Sequence, residues 1–144
     1  MTSHNFKENS EAVQAHLTIS QGIIQRMAGN STSSKAWCIA LVSAILVVVA
    51  DKHVPNYVLI AVFPTVLFYV LDSYYLALER CFRNSYNEFI AKVHGPGIEA
   101  EDLYVMQPSG SVLIETLSSL WSFSTLPFYI ILLIVIALAR EIIV

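Results

Sequence analysis

The side chains in this sequence that are best suited to hold a ligand lie close together, in a polar and basic stretch over residues 79–93. They are Arg80, Arg83, Asn84, Tyr86 and Asn87. Arginine presents a planar fork of donors that matches the oxygens of an anion, so a few such residues are enough for a small anionic ligand. The stretch also has an explanation without a ligand, because Glu79–Arg83 and Glu88–Lys92 are i,i+4 ion pairs in the favourable order on a helix surface.

The residue types that carry out catalysis or bind metals are not arranged for either role. The sequence has no glycine-rich phosphate loop, no GxSxG motif and no HExxH motif, and most of its serines fall in predicted caps and loops. None of the four histidines, His4, His16, His53 and His94, has a histidine or cysteine three or four positions later that would make a metal-binding pair. We therefore expect a protein that is not an enzyme and that uses neither a metal nor another cofactor.

The composition predicts a membrane protein. Hydrophobic residues make up 56% of the chain and charged residues 13%, whereas soluble globular proteins average about 45–50% apolar and about 25% charged residues. The shortage of charge is the sharper signal, because a soluble surface needs those residues. A net charge of −3 also argues against a general nucleic-acid-binding protein, which would carry a basic footprint.

We predict an all-α integral membrane protein with three transmembrane helices. The first span begins near Lys35 and contains the uncharged residues 36–50, the second runs from about Asn56 to Leu71, and the third covers about 124–139. The chain then divides into four regions: a cytosolic N-terminal helix in 1–34, a transmembrane helical hairpin in 35–72, a cytosolic helical extension with an acidic loop and an interfacial helix in 73–123, and the third transmembrane helix in 124–144.

Caps and helix breakers predict where the helices begin and end. Ser10 is a candidate N-cap for a helix that ends near Ala28, because Gly29 and the polar run after it resemble a helix stop followed by a new cap. Nothing interrupts the second helix after Leu71, so we expect it to extend into the cytosol as far as His94. Its cytosolic half carries an apolar stripe, which needs either the N-terminal helix or a second subunit as its partner.

Two later features concern the approach to the third span. Apolar residues recur at helical spacing over 111–121, and we expect this helix to lie along the membrane surface. Pro127 falls in the first turn of the third span, where a missing backbone N–H matters little.

Polar residues are scarce within the spans, which limits what a pore built from them can offer an ion. The lining would be Ser43, Thr65 and Tyr69, or it would be wholly hydrophobic and gated by dewetting. Pro64 lies in the middle of the second span and predicts a kink there. Such a kink is either a hinge in a gate or a static packing feature.

Asp72 marks the cytosolic end of the second span. Ionisable groups within a bilayer are costly and often mark an ion or proton pathway, which makes Asp72 a gate or pore candidate. Because it falls at the edge of the span, it is also explained as an interfacial carboxylate that pairs with Lys35 or Arg80.

The basic residues predict the orientation. With three spans, two of them fall on one side of the membrane, Lys52 and Arg140. The other six fall on the opposite side: Lys7, Arg26, Lys35, Arg80, Arg83 and Lys92. Since cytoplasmic loops carry the excess of lysine and arginine, the N-terminus and residues 72–123 are expected in the cytosol and the C-terminus on the periplasmic side.

Three parts of the sequence resemble a group of small bacterial membrane proteins. The first comprises His16-Leu17, residues 23–28, Asn30-Ser31 and Lys35-Ala36-Trp37; the second comprises residues 71–76 (LDSYYL), residues 79–83 (ERCFR) and Tyr86; the third is residues 124–129 (STLPFY). The layout is similar to that of the SLATT-type effectors, which combine paired membrane helices with a cytosolic helical extension. Within this resemblance, the Hailong-type channel effectors, oligomers gated by an oligodeoxyadenylate, are the nearest type.

The resemblance implies a function in anti-phage defence at the bacterial inner membrane. A nucleotidyltransferase would make a nucleotide or oligonucleotide signal, and this chain, as a homo-oligomer with a tetramer favoured, would open as a channel and disrupt the membrane. The implied site for the signal comprises Arg26, Arg80, Arg83, Asn84, Tyr86 and Asn87. Two other functions are open: a membrane anchor that recruits a soluble partner, and a holin-like pore that needs no ligand.

Overall fold

The computed structural model describes residues 9–52, 54–95 and 97–143, and within these residues it contains helices and no strand. The α-helices in chain order are α1, Glu11–Lys52; α2, Val62–His94; α3, Val112–Leu120; and α4, Leu126–Ile143. Short 3₁₀ helices precede α2, at Pro55–Ala61, and α3, at Ala100–Tyr104. The predicted all-α class is confirmed.

Several predicted helix ends are confirmed by their caps. The hydroxyl of Ser10 accepts a hydrogen bond from the amide of Val13 at 3.4 Å, one residue before α1 begins. Helix α2 ends at His94 and is followed by a glycine whose amide bonds back into the last turn. Ser111 caps α3 with its hydroxyl, and Pro127 is the second residue of α4.

Helix α1 runs without a break through the segment where the sequence predicted a stop, so that prediction is wrong. Thr32 and Ser34 donate their hydroxyls to the carbonyls of Ala28 and Asn30, four residues earlier, at 3.2 and 2.9 Å. Hydroxyl groups that were expected to cap a new helix thus bond to the preceding turn of the existing one. The predicted N-terminal helix and the predicted first span are therefore one element of 42 residues.

The second span begins differently from the prediction. Its first seven residues, Pro55–Ala61, form a 3₁₀ helix, and the α-helix starts only at Val62. Pro64 is the third residue of α2, where the backbone N–H groups have no partner within the helix. The irregularity that the structure shows beside Pro64 is a change of helix type after Ala61, and the kink expected in the middle of the span stays a prediction.

A core of small and branched side chains joins α1, the first 3₁₀ helix and α4. The hydroxyl of Tyr129, in the first turn of α4, donates to the carbonyl of Phe68 at 3.1 Å, and Ile136 packs two turns further along with Val58 and Ala61. Helix α4 consequently runs antiparallel to α2 along the length of the predicted second span. The buried residues of this core are Cys38, Val42, Val49, Val58, Ala61, Tyr129 and Ile136.

A second, smaller core lies between the start of α1 and the end of α2 and identifies the partner of the α2 stripe. Phe89 of α2 packs against Val13 of α1 and against Ile98 in the loop, and all three side chains are buried. The ring of His16 stacks on Phe89 with 3.9 Å between the ring centroids. Between the two alternatives predicted for the stripe, the structure thus shows the N-terminal part of α1.

Helix α3 packs along α2 and runs antiparallel to it. At one end, the amide of Ser109 donates to the carbonyl of Cys81 at 3.2 Å. At the other end, the hydroxyl of Tyr69 donates to the carbonyl of Leu120. The predicted arrangement, with this helix lying flat along a membrane surface, does not agree with these contacts, because they hold α3 beside α2 over three turns of α2.

Two helical segments are long and apolar enough to cross a membrane by length and composition: Glu11–Lys52, and Pro55–His94 with its 3₁₀ start. Their most apolar stretches are only 22% and 33% buried. A helix that is hydrophobic all round is normally buried in a protein core or in lipid. Most of this apolar surface therefore faces away from the rest of the chain.

Candidate functional site

A cleft of about 330 Å³ lies between the N-terminal half of α1 and the C-terminal half of α2. It brings together three of the predicted ligand residues, Arg83, Tyr86 and Asn87, because these positions share one face of α2. The facing helix supplies two amide side chains, Gln21 and Gln25. The complete lining is Gln21, Ile24, Gln25, Arg83, Tyr86 and Asn87.

Hydrogen bonds and one ion pair fix the polar groups around this cleft. The side-chain amide of Gln21 donates to the hydroxyl of Tyr86 at 3.1 Å and so joins the two helices. Arg83 forms an ion pair with Glu79, one turn earlier, with 2.8 Å between Nη2 and Oε1. The arginine side chain is 60% exposed, so its remaining donors can reach an anion in the cleft.

The other predicted ligand residues lie elsewhere. Arg80 turns toward α3, where it donates to the hydroxyl of Ser122 at 3.1 Å and approaches Glu115 at 3.9 Å. Arg26 and Asn84 are exposed and do not line the cleft. Within one chain, the six residues are thus divided into a cluster of three and three separate positions.

Sequence reasoning missed Gln21 and Gln25 as members of the site. Both lie on the polar face of the N-terminal helix, which marked them as exposed, but nothing in their spacing indicated what they would face. Their position follows from the antiparallel pairing of α1 with α2, in which residue 21 lies opposite residue 86. Amide side chains offer both donors and acceptors, which complements the purely donating guanidinium of Arg83.

A second cleft of about 240 Å³ lies nearer the end of the hairpin, between α1, α2 and the loop that follows α2. Lys92 donates to Asp102 at 2.7 Å across it. This hydrogen bond and charge lower the pKa of Asp102 and raise the pKa of Lys92. Nδ1 of His16 lies 3.0 Å from the carbonyl of Leu103, and since a carbonyl only accepts, this nitrogen carries the proton.

Asp72 is completely buried where the two long helices cross. Its Oδ2 lies 2.6 Å from Nζ of Lys35, and its Oδ1 accepts the hydroxyl hydrogen of Ser31. Of the two partners predicted for an interfacial Asp72, the structure shows Lys35. The carboxylate is thus part of an internal ion pair that joins α1 to α2.

The remaining pore candidates differ in where they point. Thr65 is buried and donates to the carbonyl of Ala61 at 2.8 Å, and Pro64 is also buried. Tyr69 is occupied by its bond to α3. Ser43 is exposed on the outer surface of α1, so only this candidate presents its hydroxyl away from the chain.

In the part of the chain that the structure describes, no three histidine, cysteine, aspartate or glutamate side chains converge as a metal ion would require. Both cysteines, Cys38 and Cys81, are free and buried. Comparisons with protein families, curated proteins and solved structures found no match to this chain.

Proposed function

We propose that this chain is a three-span protein of the bacterial inner membrane, with the N-terminus in the cytosol and the C-terminus in the periplasm. Length supports the second span. The 3₁₀ helix Pro55–Ala61 rises about 2.0 Å per residue and α2 about 1.5 Å, so the segment from Pro55 to Asp72 spans about 30 Å, the thickness of the hydrocarbon core. The Lys35–Asp72 pair then lies at the cytosolic edge of that core.

The position of α4 supports a third span. It begins beside Phe68 and continues past Val58 and Ala61, so it occupies the same depth as the second span. Its residues from Leu126 to Ala139 carry no charge, and Arg140 and Glu141 follow at the far end. The distribution of lysine and arginine, six against two, supports the orientation.

The cytosolic cleft acts as the receptor for an anionic signal, a nucleotide or oligonucleotide. The observation that carries this proposal is that Arg83, Tyr86 and Asn87 meet Gln21 and Gln25 in one cleft. The guanidinium suits a phosphate, the tyrosine ring can stack on a base, and the amides can pair with a base edge. The two helices that form the cleft are the same two that enter the membrane.

Signal binding opens a channel in a homo-oligomer, with a tetramer favoured. A single chain has too few helices to enclose a polar pore, whereas rotational symmetry repeats Arg83 around a cytosolic vestibule and creates a positive field despite the acidic net charge. The ligand shifts the closed–open equilibrium through its higher affinity for the open state. A nucleotidyltransferase supplies the signal, and the open channel disrupts the inner membrane in defence against phage.

The test is dye release from liposomes that contain the purified protein. Oligodeoxyadenylates of increasing length and cyclic dinucleotides are the probes. Release only with one of these probes supports the proposal. Constitutive release would favour a holin-like pore, and no release with any probe would favour a membrane anchor, so either result contradicts the proposed gating.

A pair of matched arginine variants links the release to the cleft. Arg83→Ala removes the guanidinium from the cleft, and we expect ligand-dependent release to disappear while insertion and oligomer mass stay unchanged. Arg26→Ala removes an exposed guanidinium from the neighbouring helix, outside the cleft, and should leave release intact. Full ligand response in Arg83→Ala would show that the cleft is not the receptor.

A further inference from the structure

Helix α3 and the turn after it carry an exposed apolar surface that lacks any charge. Leu117 is 64%, Trp121 79% and Phe123 92% exposed. The only charged residue in 111–125 is Glu115, and it faces Arg80 of α2. We name this surface the α3 stripe: Leu113, Ile114, Leu117, Trp121 and Phe123.

Two contacts place the stripe near the level of Asp72. Because Tyr69 lies three residues before Asp72 in α2 and bonds to Leu120, the C-terminal end of α3 lies at or just inside the level of the Lys35–Asp72 pair. The nine residues of α3 extend about 14 Å from that point toward the cytosol. The boundary of the hydrocarbon core and the headgroup layer, which adds about 5–8 Å on each side, therefore contain Leu117, Trp121 and Phe123, whereas Leu113 and Ile114 lie farther toward the cytosol.

The contacts of α4 show that it enters the proposed hydrocarbon core from the level at which α3 ends. The hydroxyl of Tyr129, in the first turn of α4, donates to the carbonyl of Phe68, one residue before the Tyr69 that bonds to Leu120 of α3. Helix α3 therefore covers the headgroup side and α4 the hydrocarbon side of one antiparallel path along α2.

The turn between α3 and α4 has hydrogen-bond partners within the protein for its backbone carbonyl groups, as non-helical backbone in a membrane requires. Carbonyl groups released by the break have to find partners within the protein, since lipid offers none. The Leu120 carbonyl accepts from Tyr69, the Ser119 carbonyl accepts from the Thr125 hydroxyl at 2.6 Å, and the Ser122 carbonyl accepts from the amide of Thr125 at 3.1 Å.

We propose that the third crossing is a broken helix made of α3 and α4, and that the α3 stripe contacts the lipid of the cytosolic leaflet. The inference rests on the proposed membrane topology and extends it. Tryptophan and other aromatic residues favour the interface between lipid and water, and Trp37 and Tyr74 are exposed on α1 and α2 within two residues of the Lys35–Asp72 pair. Trp121 and Phe123 complete this aromatic girdle on the α3 side.

Trp121 itself provides the first readout. In Trp37→Phe it is the only tryptophan of the chain. In liposomes, we expect a blue-shifted emission that is quenched by lipids brominated near the headgroup end of the acyl chain. Emission typical of water without quenching would overturn the inference.

Cysteine accessibility provides a second readout that does not depend on channel activity, since the natural cysteines are buried. In Leu117→Cys we expect no labelling by a membrane-impermeant maleimide, whereas Ile19→Cys, on the exposed cytosolic part of α1, should label fully. Labelling of Leu117→Cys would overturn the inference. Three results together would assign the stripe to a second copy instead and overturn the inference. They are resistance of Leu117→Cys to labelling, no quenching of Trp121 by the brominated lipids, and cross-linking of Leu117→Cys between chains.

A control in the second span separates this inference from the proposed function. Leu67 is exposed on α2 within the proposed hydrocarbon core. Labelling of Leu67→Cys in liposomes would contradict the membrane topology itself. Protection of Leu67→Cys together with labelling of Leu117→Cys would leave the topology standing and refute only the broken third crossing.

Discussion

The buried ion pair between Lys35 and Asp72 gives a sharp test of how the helical hairpin is held together. The Asp72 side chain is completely buried, whereas the Lys35 side chain is 21% exposed. The hydroxyl of Ser31 donates to the carboxylate and accepts from the ammonium at 3.3 Å. Removing either residue leaves the other as an unpaired charge. The two losses in the free energy of unfolding differ, because only the ammonium has access to solvent.

The expected costs follow from that asymmetry. Breaking a buried pair by removing one partner costs about 3–5 kcal/mol. Lys35→Met leaves a fully buried carboxylate with one hydroxyl, so we expect a loss in this range. Asp72→Asn leaves an ammonium whose stem can extend to water, so about 2 kcal/mol is expected. In Lys35→Met/Asp72→Asn no charge is stranded, and the loss should fall to about 1 kcal/mol or less.

Unfolding can be followed through the two buried thiols, Cys38 and Cys81, which a fluorogenic maleimide reaches only when the helices separate. The burial that raises the pKa of Cys81 also keeps its thiol unreactive in the folded chain. On heating in one detergent, we expect the midpoint to be lowest for Lys35→Met and to recover when Asp72→Asn is added. Asp51→Asn, which breaks an exposed pair of 3.6 Å, is the control and should not shift the midpoint. Additive losses in the double variant would refute the reasoning.

Three further perturbations concern the loop after α2 and the first turn of α2. The hydrogen bond from Lys92 lowers the pKa of Asp102. The stability that the carboxylate contributes is therefore present above about pH 4 and is lost as the pH falls through the lowered value. Amide exchange in residues 99–105, corrected for intrinsic rates, should rise at acid pH in the natural chain and show no such step in Asp102→Asn. His16→Phe keeps the aromatic ring but leaves the Leu103 carbonyl unpaired, so a loss of about 1–2 kcal/mol is expected in the thiol assay, and an unchanged midpoint would contradict it. Pro64→Ala adds an N–H in the first turn of α2, so we expect the free energy of unfolding to change by less than about 1 kcal/mol and dye release to stay normal. Loss of dye release would identify the proline as a hinge.

The features that the sequence predicted correctly are those set by local chemistry. Ser10 caps α1, as predicted, because a short hydroxyl side chain can accept from a free amide three residues later. Pro127 lies in a first turn and a glycine follows His94 for similarly local reasons. The Lys35–Asp72 pair was one of two predicted alternatives. Local sequence placed both Lys35 and Arg80 within reach of Asp72 and did not distinguish between them.

The features that it did not predict depend on residues far apart in the chain. The direction of α3 is set by Tyr69, which reaches a carbonyl 51 residues later. The composition of the cleft depends on the register between α1 and α2, which places Gln21 beside Tyr86. A pattern of apolar residues identifies which face of a helix is buried, but it does not identify which residue of the neighbouring helix it meets.

Replacement of Gly29 distinguishes a continuous α1 from a helix that stops at this residue. The two descriptions predict stability changes of opposite sign. The sequence alone favoured a helix stop here, and a glycine at a helix stop commonly adopts a positive φ that alanine tolerates poorly. In the structure Gly29 lies within α1, and an added Cβ would meet no atom within 4 Å. Gly29→Ala should therefore stabilise the chain by about 0.5–1 kcal/mol, because glycine in a helix interior is worse than alanine by that amount. Gly110→Ala is the opposite control, since its φ of +93° predicts a loss. If Gly29→Ala lowered the midpoint of thiol exposure as Gly110→Ala does, α1 would not be continuous between the cleft and the membrane, and a signal bound at Arg83 would lack the rigid connection that the proposed gating requires.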